Sequence, residues 1–141
     1  MVKCETIGML DIAKINPVLT SVSDVANYSF ITVDGITYVI MNDLNGDDAY
    51  KEGVVIKAGK YLNGYNLSAW VGQKLVIDEK HITYGSGEDY DDITAGTTLL
   101  KVKTDGTLEL ADTAPSSGVY FKVTDKVTLT EKAVKAVVMV A

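Results

Sequence analysis

Two β-rich runs, residues 28–33 and 36–41, are separated only by Asp34-Gly35. A two-residue Asp-Gly link between β runs closes as a type I′ turn, because both turn residues need positive φ. This fixes an antiparallel hairpin in the first third of the chain. Alternation puts Tyr28, Phe30 and Thr32 on one face and Ser29, Ile31 and Val33 on the other. Neither face is wholly polar, so both are expected to be covered.

The same grammar recurs to the C-terminus. Residues 54–57 and 75–77 read as strands, and Asp78-Glu79-Lys80 reads as a turn back into residues 81–84. Residues 98–103 and 107–110 flank Asp105-Gly106 as a second hairpin. Residues 119–123 and 132–140 complete the strands, and the β-branched run after Lys132 favours strand over helix. Asn63-Gly64 is a turn or bulge signal, and residues 23–26 fit one helical turn with a polar cap. Residues 7–12 contain Gly8 and hold helical spacing poorly, so residues 1–17 read as a strand or extended N-terminal arm ending near Pro17. The expectation is one mainly-β domain over residues 1–141, a compact antiparallel β-barrel or sandwich with several hairpins, its C-terminal subregion at residues 93–141.

With 141 residues and a 47% hydrophobic fraction, the chain can bury a core. Two prolines are too few for a linker-rich protein. The net charge is −6, and all 13 basic residues are lysine. Acidity without arginine argues against nucleic-acid and anionic-membrane partners. Lone Cys4 forms no internal disulfide and reads as a small apolar residue of an N-terminal strand, which suits a reducing compartment. Neither a signal peptide nor a spanning helix is expected.

Chemistry-bearing patterns are sparse. His81 is the only histidine, and the neighbouring Asp78 and Glu79 fall in a turn, so a strand-end histidine is the plainer reading than a catalytic one. One histidine and one cysteine do not make a structural zinc site. Counted from Asp43, the sixth and twelfth positions of a calcium loop hold Asp48 and Val54, so the EF-hand pattern fails. The acidic run Glu88, Asp89, Asp91 and Asp92 reads as a solvated loop, with a bound cation as the alternative. No phosphate loop, nucleophile elbow or dinucleotide fingerprint occurs. These readings imply neither a cofactor nor an enzyme.

Eight tyrosines stand against two phenylalanines and one tryptophan. Tyrosine brings rigid contact area with a polar tip, which suits an interface; the same rings also serve as core cover or sugar platforms. The candidate interface comprises Tyr50, Tyr61, Tyr65, Trp70 and Tyr90 beside loops, with Met9, Leu10 and Ile12 in the N-terminal arm.

The final third, Ile93-x-Ala95-Gly96-x-x-Leu99, Asp105-Gly106-Thr107-Leu108, Gly118-Val119 and the apolar end Ala136-Val137-Val138-Met139-Val140, resembles the small head-decoration (capsid cement) proteins of tailed bacteriophages. That resemblance implies a structural virion protein assembled in the host bacterial cytoplasm. Such a protein binds the outer surface of an assembled capsid and bridges neighbouring subunits of the major capsid protein. Homo-oligomers, trimers above all, are usual in the family, and no catalytic residues come with it. The alternatives are another virion β module (tail tube, baseplate or fibre) and a carbohydrate-binding module using Tyr61, Tyr65 and Trp70.

Overall fold

The computed structural model describes residues 2–4, 15–42, 54–128 and 130–141. Among the described residues the elements are twelve strands and three short 3-10 turns. In chain order the strands are β1 (Val2–Cys4), β2 (Ile15–Thr20), β3 (Val25–Ala26), β4 (Phe30–Val33), β5 (Ile36–Ile40), β6 (Val55–Ile56), β7 (Tyr61–Asn66), β8 (Lys74–Asp78), β9 (Leu99–Val102), β10 (Leu108–Ala111), β11 (Val119–Thr128) and β12 (Lys132–Val140). They form a six-stranded sheet ordered β1-β8-β12-β11-β9-β10, a four-stranded sheet ordered β2-β7-β5-β4, and the pair β3-β6. Every strand pair is antiparallel, and each sheet is open, so the mainly-β expectation holds in its sandwich-like form rather than as a closed barrel.

The β4–β5 hairpin forms where Asp34-Gly35 places it, with φ of 51° and 78° at the two turn residues and Val33 opposite Ile36. Both of its faces are covered. Phe30 and Val39, a cross-strand pair, enter the main core, while Tyr38 and Ile40 enter a smaller one with Ile56 and Leu62. The main core runs through both large sheets: the Phe30 ring meets Phe121 of β11 edge-on at 5.4 Å, among Leu75, Ile77, Leu100 and Val138. Burial of apolar surface is the dominant stabilising contribution in such a core, and the edge-on pair adds about 0.5–1.5 kcal/mol beyond it.

The β9–β10 hairpin also forms, and its Gly106 touches the other sheet, where Phe30 N–H donates to the Gly106 carbonyl at 2.8 Å. Strand β11 is longer than the sequence pattern indicates. Beyond Val123 a bulge inserts Thr124, whose hydroxyl donates to the Lys135 carbonyl at 3.3 Å, and pairing with β12 resumes at Asp125.

Three local expectations are corrected. Residues 23–26 make no helical turn: Asp24 turns its carboxylate across to Ala58 N–H at 3.0 Å instead of capping its own chain, and Val25–Ala26 pairs with β6. Asn63-Gly64 makes no turn, because β7 lies between β2 and β5 and both neighbours hold it extended. The irregularity falls on the partner strand instead, where the register slips between Asn16 and Leu19. That stretch contains Pro17, which has no N–H to give a ladder. Residues 81–84 form no return strand, since both sides of β8 are occupied by β1 and β12. A 3-10 turn at Glu79–His81 leads Ile82 into a single parallel bridge with Leu108. The N-terminal arm is tied down at both ends, by β1 against β8 and β2 against β7, with Cys4 opposite Leu75.

Candidate interaction surface

Segments 20–26 and 54–61 are stitched into one ordered platform. Val25 pairs with Ile56 and Ala26 with Val55, while Thr20 pairs with Tyr61. Gly59 N–H donates to the Ser21 carbonyl at 2.8 Å, and Ser21 N–H to the Lys60 carbonyl at 3.3 Å. Asp24 closes the platform, accepting from Ala58 N–H and, at 3.2 Å, from Lys57 Nζ. The Ala58 amide first, and then Lys57, holds the Asp24 carboxyl below the usual carboxylate range.

Pleating sorts the side chains of this platform. Ile56 and Leu62 point into the small core, so their neighbours Val55 and Tyr61 point out. Val55 is 45% exposed, Tyr61 72% and Val22 99%. Two asparagines fix the platform to the four-stranded sheet. Asn27 Oδ1 accepts from Asn42 N–H at 2.9 Å, and Asn27 N–H donates to the Val54 carbonyl at 2.8 Å. Asn42 in turn accepts from Asn63 N–H at 2.6 Å and donates from Nδ2 to the Tyr61 carbonyl at 2.9 Å. The exposed Tyr61 ring therefore stands on a backbone held from both sides.

Of the sequence-derived interface residues, Tyr61 lies on this surface. Tyr65 is half-buried, its ring 5.5 Å from that of Trp70 and tilted by 49°. Trp70 is not a surface residue: at 1% exposure it belongs to the main core. It sits in a 3-10 turn, Leu67–Trp70, that folds both Leu67 and Trp70 inward after Asn66 accepts from Ser68 N–H at 2.9 Å. Tyr90 is likewise buried rather than presented, because an Asp89–Asp92 capping box curls its turn toward the sheet. Its hydroxyl donates to the Ala133 carbonyl at 2.7 Å, and Lys126 and Lys132 lie over its ring at 4.5 and 5.2 Å. Met9, Leu10, Ile12 and Tyr50 lie outside the described residues. Val22 and Val55 escaped sequence reasoning; a single valine between serines and the middle of a short apolar run carry no signal of which side faces out.

The chemistry-bearing residues are engaged structurally. Glu88 accepts from Gly85 N–H at 2.8 Å, Asp89 from Asp91 N–H at 2.8 Å, and Asp92 from Asp89 N–H at 2.8 Å. The acidic loop thus spends three carboxylates on its own amides. Among the described residues no three His, Cys, Asp or Glu side chains gather as a metal-ligating group, and the Asp43–Asp48 acids lie outside them. His81 packs edge-on against Tyr28 at 5.9 Å. Tyr84 donates to Glu79 Oε1 at 3.1 Å; burial, and then the Glu79 charge, raises its hydroxyl well above the ordinary tyrosine range.

Compared with known proteins, the chain matches no family model, no curated protein and no solved structure.

Proposed function

We propose that this chain is a structural virion protein. It binds the outside of an assembled phage capsid, without catalysis, and stabilises the shell by bridging neighbouring capsid subunits. The observation that carries this reading is the exposed apolar set Val22, Val55 and Tyr61 on a platform fixed by paired backbone and by Asn27 and Asn42. Exposed apolar side chains on rigid backbone lose little entropy on docking. Binding only the assembled lattice stabilises it by mass action, and repetition over a symmetric shell multiplies a modest contact. The segments that resemble decoration proteins support the same reading, since they supply the contiguous strands β9 to β12. A trimer is the assembly favoured for this role. Burial of Trp70 disfavours the sugar-platform alternative, which needs that ring accessible.

The test is co-sedimentation with expanded shells of the major capsid protein encoded in the same genome, and with its free subunits. The expected result is saturable binding to shells alone, weakened about tenfold or more by the double substitution Val22→Ser and Tyr61→Ser. Equal binding to free subunits, or no binding to shells, overturns the proposal. Spontaneous tube or ring formation by the isolated chain would place it in the tail instead.

A further inference from the structure

Among the described residues the four-stranded sheet ends on β4, and that edge opens into a cleft of about 290 Å³. Thr32, Gly35 and Thr37 of the hairpin line one side; Lys101, Glu109 and Pro115 line the other. In an antiparallel pair, backbone groups alternate between the partner strand and the free edge. Ile40 N–H donates to the Ser29 carbonyl at 2.9 Å, which assigns Ser29, Ile31 and Val33 to the β5 ladder. Phe30 and Thr32 therefore turn their backbone groups off the free edge. Phe30 does so visibly, donating to Gly106 of the other sheet. Thr32 N–H, two residues on, has no partner among the described residues, while the Thr32 and Thr37 hydroxyls are bonded to each other at 3.0 Å.

The opposite wall carries an unspent charge pair. Lys101 and Glu109 face each other across β9 and β10, yet neither makes an ion pair or side-chain hydrogen bond among the described residues. Val33 and Ile36, at the hairpin tip beside the cleft, are part-exposed apolar residues. An edge strand with an open amide, an apolar tip and two unpaired opposite charges is a template for a further strand.

We infer that the β4 edge binds an extended peptide segment of a partner by strand addition. The Thr32 backbone continues the ladder begun at Phe30, and Lys101 and Glu109 select a segment with one acidic and one basic residue two positions apart. Two positions along a strand put side chains on the same face at about 6.6–6.8 Å, close to the roughly 5 Å between facing residues of neighbouring strands. The cleft volume fits one or two residues of such a segment, so selection rests on this short charged pattern. The inference is independent of the capsid reading, and its test uses no capsid.

The probes are fluorescein-labelled peptides with the core Val-Asp-Val-Lys-Val, the reversed core Val-Lys-Val-Asp-Val, and a core with both charges replaced by serine. Fluorescence anisotropy is expected to show saturable binding of one charged order, about tenfold tighter than the serine peptide. Thr32→Pro removes an N–H that the internal ladder does not use, a placement that edge strands tolerate. It is expected to weaken binding about tenfold or more while leaving the circular dichroism spectrum unchanged. The double substitution K101Q and E109Q is expected to retain binding and erase the preference for charge. Amide exchange at Thr32 in the unaltered chain, slowed by the charged peptide, is the readout if the proline variant does not fold. Absence of binding up to about 1 mM, unchanged affinity in folded Thr32→Pro, or unchanged Thr32 exchange overturns the inference. Self-association abolished by Thr32→Pro would assign the edge to a second copy and overturn it equally.

Discussion

Tyr84 and Tyr90 show how single side chains are used in this molecule: their polar tips are spent inside the fold. Tyr84 reaches Glu79, and Tyr90 reaches the carbonyls of β11 and β12. Burial, followed by the Glu79 charge, raises both hydroxyls above their ordinary value of 10.0. A raised folded-state value favours the protonated form, so the associated stability is complete below pH 10 and is lost as pH rises beyond it. We predict that Tyr84→Phe costs about 1 kcal/mol at neutral pH through the lost hydrogen bond. Melting temperatures measured from pH 9 to 11 should fall less steeply in the variant than in the parent; equal slopes would refute the assignment. The inward placement of Tyr90 was not legible in its sequence. Four acids surround it, and only the reciprocal Asp89–Asp92 cap, a property of folded geometry, turns the ring away from water.

At the level of elements, two Asp-Gly turns look alike in sequence and differ in what surrounds them. Gly35 and Gly106 have φ of +78° and +89°. A Cβ on Gly35 would meet nothing within 4 Å, whereas one on Gly106 would meet Ser29 Cβ at 3.2 Å beside the Phe30 contact. Gly35→Ala should therefore cost only the left-handed backbone penalty, about 1–2 kcal/mol. Gly106→Ala should cost more, because the two sheets must separate locally as well. Urea unfolding of the two variants checks the order, and equal losses would show that the turn does not press on β4. Both hairpins could be read directly because a turn is a local decision: two residues at Asp34-Gly35, and a wider loop through Thr104-Asp105-Gly106, where Gly106 N–H donates to the Lys103 carbonyl at 3.2 Å. The pairing of β3 with β6 could not, since the Asp24 partners lie 33 and 34 residues away.

For the whole molecule, the decisive contact is Phe30 against Phe121, one ring from each large sheet. Phe30→Ala is predicted to cost about 3–5 kcal/mol, as a fully buried ring gives way to a cavity. Because that ring joins the sheets, near- and far-ultraviolet circular dichroism should shift together in denaturant. Transitions that separate would show that the sheets unfold independently. What the chain by itself determined was its strand-forming text and the turns at Asp34-Gly35 and Asp105-Gly106. These follow from φ preferences and alternation, which act over a few residues. Only the tertiary structure decided that β8 lies between β1 and β12, that Trp70 and Tyr90 face inward while Val22 and Val55 face out, and that Thr32 sits on an open edge. Each of those outcomes depends on which distant strand occupies the neighbouring position, and side-chain periodicity carries no record of that partner.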